Sequence, residues 1–134
     1  MLTQTLTVAA VCFRDADSRV LTVRKKGSER FQLPGGKLDA GETAPAAAVR
    51  EVAEEIRVEL TPDDITLLGA WSAPAANEAD TTVDATVFVS TAQIVPVAAA
   101  EIEELLWVHP GGDHAEAVFA PLLRLHVFPA LAAG

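Results

Sequence analysis

The sequence predicts an α/β sandwich, on three observations. Segments rich in β-branched residues recur between turn signals, a strong helix pattern occupies the middle of the chain, and a second helical region lies near the end.

Residues 3–13 have the β-branched character of a strand. The turn Asp15-Ala16-Asp17-Ser18 follows, then a second strand over residues 19–24, and the pair reads as a hairpin. Residues 27–30 form a polar loop, and Phe31-Gln32-Leu33 is extended because Pro34 disfavours helix in the residue before it. Gly35-Gly36 breaks the chain and Asp39-Ala40-Gly41 makes a second turn. A helix is expected over Ala44–Ile56, with Thr43 as N-cap and Pro45 in the first turn, where its missing N–H does no harm. Ala48, Val49, Val52, Ala53 and Ile56 fall on one stripe of that helix. Further strands are expected over residues 65–73, 83–91 and 105–108. Asp113 and Glu116 have capping-box spacing for the last helical region, which Pro121 interrupts or kinks.

The 134 residues, half of them hydrophobic and 22% charged, suit a single domain over 1–134 with one ordinary core. A formal net charge of -9 opposes nonspecific binding to a nucleic acid polymer or an anionic membrane. No apolar run approaches the roughly 18 residues of a membrane span, and no basic residue precedes the first apolar stretch as it would in a signal peptide. The one cysteine, Cys12, sits in an apolar run and reads as a buried structural thiol; a cytoplasmic location is expected. Residues 1–50 carry eight Lys/Arg against five Asp/Glu, and residues 51–134 two against fourteen. Such a division can bring both signs to one site or simply make an acidic surface.

Chemistry concentrates between Gly36 and Val58. Arg50, Glu51, Glu54 and Glu55 lie opposite the apolar stripe, and Glu42 stands just before the helix. Spacings of three and four put Glu51 beside Glu54 and Glu55, where like charges destabilise a helix by roughly 0.2–0.5 kcal/mol per pair. Arg50 offsets part of this through Glu54, and a divalent cation would offset the rest; Mg²⁺ prefers such oxygen ligands. The bare spacing also suits a solvated acidic face.

The wider pattern is specific. Gly36, five residues, Glu42, seven residues, then Arg50-Glu51-Val52-Ala53-Glu54-Glu55-Ile56-Arg57-Val58 resembles the Nudix box, G-x5-E-x7-R-E-U-x-E-E-x-G-U with U aliphatic. Leu33-Pro34-Gly35-Gly36-Lys37 is similar to what leads into that box. The one departure is Arg57 in place of glycine. A glycine there would end the helix in a left-handed conformation; an arginine does so at a cost of roughly 1 kcal/mol, or the helix ends differently.

The resemblance implies an α/β/α sandwich around a mixed β-sheet, and a Mg²⁺- or Mn²⁺-dependent pyrophosphohydrolase that cuts a nucleoside diphosphate linked to another group. It implies Glu51, Glu54 and Glu55 as metal ligands, with a backbone carbonyl of Gly35 or Gly36. Glu42 and Arg50 would brace loop and helix. The general base would be a box glutamate or a carboxylate of the late loop, Glu101 ahead of Glu104. Arg24, which ends the second strand, and Lys37, after the glycine pair, are the candidate phosphate ligands. Lys25 and Lys26 read as a solvated basic loop. Phe31, Trp71, Phe88 and Asn77 are candidates for stacking on or hydrogen-bonding a base, in a cleft bordered by residues 75–78; core packing is preferred for Phe88 and Trp107. His109, His114 and His126 show no ligand spacing and read as surface or helix-face residues.

The leading expectation is a MutT-like enzyme acting on a free small-molecule nucleotide, either a nucleoside triphosphate or an oxidised purine form. ADP-ribose and dinucleoside polyphosphates stand as alternatives, as does a non-catalytic nucleotide-binding module on the same fold. An isoprenoid diphosphate isomerase is disfavoured, because Cys12 lies far from the box. Homodimers are common among similar proteins, and the sequence leaves that state open.

Overall fold

The computed structural model describes residues 4–133. In chain order the elements are β1 (Gln4–Phe13), β2 (Val20–Lys25), β3 (Gly35–Lys37), α1 (Ala44–Ile56), β4 (Thr66–Pro74), β5 (Thr81–Ser90), β6 (Ile102–Val108) and α2 (Phe128–Ala133). Thr3, which the sequence assigns to the first strand, lies outside the described residues.

Four strands form a mixed sheet in the order β3-β1-β5-β4. β1 runs parallel to β5 and antiparallel to β3, and β4 runs antiparallel to β5. β2 and β6 make a separate antiparallel pair. The inner strand β1 buries both faces. Ala9, Val11 and Phe13 join one core with Ala47, Ala48, Val52 and Ile56 of α1; Ala10 and Cys12 join a second with Val127, Phe128 and Leu131 of the C-terminal helical segment. Successive strand residues point to opposite faces, so this run without polar residues demands a helix layer on each side. The result is the expected α/β/α sandwich.

The expected hairpin of the first two strands does not form. A turn exists, with Ser18 N–H donating to the Asp15 carbonyl at 3.0 Å, but its strands meet only at the bridge Arg14↔Val20. β1 needs partners on both edges and finds β3 and β5, which sends β2 to β6. Gly35-Gly36 is likewise strand rather than break. β3 lies against β1 so closely that a Cβ on Gly35 would collide with the Ala9 carbonyl oxygen and sit 2.7 Å from the Ala10 Cα. Glycine alone permits that approach.

α1 has the expected bounds. The Thr43 Oγ1 accepts the Ala46 N–H at 3.3 Å, satisfying one donor of the first turn. The helix ends at Arg57, which takes the left-handed conformation (φ 56, ψ 39) expected of the missing glycine. Asp113 and Glu116 cap nothing: residues 111–118 contain no helix, and the last helix opens at Pro121 and passes through a π-helical segment, Leu123–Val127, into α2. A proline in the first turn costs no hydrogen bond, so Pro121 starts the helix and does not interrupt it.

Candidate active site

The exposed side of α1 ends in the cleft where β3 and the loop before β6 meet. The cleft encloses about 550 Å³, and Lys25, Lys37, Glu51, Glu54, Glu55 and Glu101 all line it.

Glu55 is 5% exposed, although the sequence places it opposite the apolar stripe. Ala48, Val52 and Glu55 follow a four-then-three spacing that keeps them on one side of the helix, so Glu55 sits on the margin of the buried face. Its Oε1 accepts the Gly35 N–H at 3.0 Å, and Lys25 Nζ lies 3.4 Å from its Oε2. Burial pushes its carboxyl up to about 7, against the opposing pull of Lys25 and the Gly35 N–H.

Glu51 lies directly beneath the glycine strand. A Cβ on Gly36 would stand 2.6 Å from the Glu51 Cδ, so Gly36 is needed for close approach of carboxylate and backbone. Arg50 Nη1 donates to Glu51 Oε1 at 2.8 Å and reaches Glu54 Oε2 at 3.4 Å. The same guanidinium donates to Glu42 and, at 3.1 Å, to the Lys37 carbonyl. Glu42 also accepts the Asp39 N–H at 2.9 Å. Arg50, then that N–H, hold the Glu42 carboxyl down at about 2. One side chain thus ties the loop, β3 and two helix carboxylates together.

Glu101 is presented by a tight path. Val97 and Ala99 donate backbone N–H groups to the Ile56 and Glu55 carbonyls at 3.0 and 2.9 Å, closing the end of α1. Ala100 takes a left-handed φ of 51, and Lys26 N–H holds the Glu101 carbonyl at 2.8 Å. The loop Ala75-Ala76-Asn77-Glu78 forms another wall. Ser28 Oγ donates to Asn77 Oδ1 at 2.9 Å, and Arg30 Nη1 donates to the Ala76 carbonyl at 3.2 Å.

Four candidate substrate contacts, Arg24, Phe31, Trp71 and Phe88, lie outside the cleft lining. Arg24 is not part of the cleft lining: its guanidinium pairs with Glu103 at 2.9 Å and Glu104 at 3.2 Å and donates to the Ser28 carbonyl. The cause is strand alternation. Leu21 and Val23 face the α1-side core, so Lys25 shares their face and Arg24 takes the other. Lys25, read from sequence as a solvated residue, therefore occupies the cleft, and Glu104 is engaged away from it. Phe31 is a core side chain, tilted against Phe119 at 6.4 Å between ring centroids. Trp71 stacks on His126 at 6.0 Å. Phe88 and Trp107 pack with the core. His114 packs on Phe128 at 4.2 Å, so it is more than a surface residue. Ser28 and Arg30 escaped sequence reading because their partners are backbone and loop atoms far along the chain. Lys25 lies two residues from Val23, but the run Val20-Leu21-Thr22-Val23 does not alternate and so marks neither cation as the inward one.

Among the described residues no three His, Cys, Asp or Glu side chains converge as a ready-made metal-ligand set. The residues nonetheless fit a hard divalent cation. The donors are all oxygens, the Glu55 carboxylate is buried in the cleft, and Gly36, lacking a Cβ, lets the strand backbone come close to the Glu51 carboxylate.

Fold and site together define a Nudix-type protein. Residues 3–124 match the family model for the NUDIX domain, and the chain belongs to that family. A putative Nudix hydrolase family member from Chromobacterium violaceum shares the fold with a TM-score of 0.75 and 23% identity, over 99% of this chain and 80% of that one. Dihydroneopterin triphosphate diphosphatase of Escherichia coli (strain K12) is 33% identical over 64 residues, 47% of this chain and 43% of its own. The ADP-ribose pyrophosphatase of Methanocaldococcus jannaschii is 38% identical over 63 residues, 45% of this chain and 36% of its own. The matches to these two relatives thus span less than half of their length.

Proposed function

We propose that this chain is a divalent-metal-dependent pyrophosphohydrolase for nucleoside diphosphate-linked compounds, and that its substrate is a free nucleotide, either a nucleoside triphosphate or an oxidised purine form. The observation that carries the reading is that Glu51, Glu54 and Glu55 line one cleft together with Gly35, Gly36, Lys25, Lys37 and Glu101.

Glu51, Glu54 and Glu55, with a backbone carbonyl of Gly35 or Gly36, would hold Mg²⁺ or Mn²⁺. When bound, the ion would neutralise the diphosphate and lower the pKa of the attacking water. Glu42 and Arg50 keep Glu51 in place. Lys37 and Lys25 supply positive charge for the phosphates, and Asn77 a polar edge for the base. Leu6, Val8, Val83 and Leu122 add an apolar wall against which a base could lie. Water attacks phosphorus, the bridging P–O bond breaks with its electron pair on the departing phosphate, and the water proton passes to a carboxylate, which we assign to Glu101. Positioning and electrostatics supply most of the acceleration.

A triphosphate substrate is supported by the printed function of the E. coli relative. ADP-ribose is the second reading, supported by the printed function of the archaeal one. The test is product analysis on canonical and 8-oxo nucleoside triphosphates, ADP-ribose and diadenosine polyphosphates, with and without Mg²⁺, for wild type and Glu54→Gln. Metal-dependent cleavage abolished by Glu54→Gln is expected. Nucleotide binding without turnover of any compound would replace this reading with the non-catalytic binding module.

A further inference from the structure

We propose that Lys25 is a resident counter-ion for Glu55, and that a divalent cation entering the cleft displaces it. The proposal rests on the metal-dependent reading above and concerns what holds the site together before the metal arrives.

Two cations, Arg50 on α1 and Lys25 on β2, divide the carboxylates between them. Arg50 reaches Asp39, Glu42, Glu51 and Glu54. The ion partner of Glu55 is Lys25. Glu55 is also the most buried of these carboxylates, with 7% of its side chain exposed against 16% for Glu51 and 55% for Glu54. A buried carboxylate with no compensating charge is strongly unfavourable. Lys25 therefore contributes most where a metal would also contribute most.

The contact is built to be given up. The Gly35 N–H holds Oε1 at 3.0 Å, while Lys25 Nζ stands 3.4 Å from Oε2, beyond the usual 2.7–2.9 Å of a charge-assisted hydrogen bond. The lysine side chain is 26% exposed, so its head has a route toward solvent. Lysine offers a compact charge on a flexible stem, where arginine would present a rigid fork able to bind both oxygens. The strand fixes where the stem starts. β2 and β6 slip register between Arg24 and Lys25, so that Lys25 pairs with Ile102 and Glu103 is passed over. The lysine stem leaves the backbone on the side facing α1, away from the Glu103 and Glu104 carboxylates that hold Arg24.

A bound cation and the ammonium compete for the same carboxylate oxygen. Stabilising the metal-free state opposes the metal by the same factor. Lys25 thus keeps the empty cleft folded and weakens cation binding, and once displaced its ammonium remains in the cleft beside the substrate phosphates.

The test uses Mn²⁺ as probe, counted by the electron paramagnetic resonance signal of the free ion, together with melting temperatures in EDTA and in saturating Mn²⁺. Lys25→Met retains an apolar stem without charge. It should melt lower than wild type in EDTA, lose that deficit in Mn²⁺, and bind Mn²⁺ about five- to tenfold more tightly. Equal or weaker Mn²⁺ binding by Lys25→Met overturns the proposal. Lys25→Arg covers the case in which the methionine variant fails to fold: its fork should weaken Mn²⁺ binding, and affinity equal to or tighter than wild type counts against displacement. If wild type and both variants bind no Mn²⁺ at all, the metal-dependent reading fails and this proposal with it.

Discussion

Arg50 grips Glu42 through two parallel hydrogen bonds, Nε to Oε2 at 2.8 Å and Nη2 to Oε1 at 2.9 Å. The remaining nitrogen, Nη1, turns to Glu51 and Glu54. Fork geometry makes this possible, and lysine lacks it. Arg50→Lys should lower turnover by about 10- to 100-fold, the range seen when partners of metal ligands are lost. Steady-state kinetics alongside circular dichroism would check this; an unchanged rate in a folded variant would remove Arg50 from the site's support.

The same pair makes stability depend on acid. The Glu42 carboxyl falls from an ordinary 4.5 to about 2 in the folded protein, mainly through Arg50. A depressed carboxyl stabilises the fold above its unfolded pKa, and that contribution disappears as pH drops from about 4.5 toward 2. Glu42→Gln should melt lower than wild type at pH 7, with the gap closing on acidification. Thermal melts over that range give the answer, and a gap independent of pH contradicts it.

Arg24→Ala should leave KM for the nucleotide unchanged, because Glu103 and Glu104 hold this guanidinium outside the cleft. A several-fold rise in KM would return Arg24 to the substrate site.

Cys12 is 1% exposed, and burial pushes its thiol up to about 12 despite the nearby Arg14. Thiolate is the reactive form, so folded protein should resist iodoacetamide. Labelling across a urea series should follow the unfolding curve; rapid labelling without urea would show that the β1 core opens locally.

Arg57→Gly should raise the melting temperature by a few degrees. Left-handed backbone costs a residue with a side chain roughly 1–2 kcal/mol, partly offset by glycine's greater freedom when unfolded. Differential scanning calorimetry reads the change, and a lower melting temperature would mean the arginine side chain contributes more than its backbone strain removes.

Local signals made α1 legible: Thr43, Pro45 and the spacing from Ala48 to Ile56 act within a few residues. Glu51, Glu54 and Glu55, which line the cleft, were legible for the same reason, since they share that helix. Strand partners were not. The turn at Asp15–Ser18 looks like a hairpin, yet the choice between β2 and β5 as a neighbour for β1 is made by burial on both faces. Arg24 and Lys25 show the same limit. Val20, Leu21, Thr22 and Val23 are all 0% exposed, so β2 has no alternating hydrophobic pattern to tell which cation turns inward. Asp113 and Glu116 had capping spacing without a helix to cap: Val118 and Phe119 donate their N–H groups to the Ala115 carbonyl at 3.0 and 3.1 Å in a single turn, which stops where Phe119 bridges Phe31.

The parallel seam between β1 and β5 joins Gln4 to Thr81, and the pair β2 and β6 joins Val20 to Val108. Both seams close large loops before their contacts can repay the lost chain entropy. α1 can flicker into being from local contacts, but its carboxylates have no cleft to face until both ends of the chain have been drawn together. Refolding should accordingly be limited by topology: the helical signal returns early, and the site assembles last.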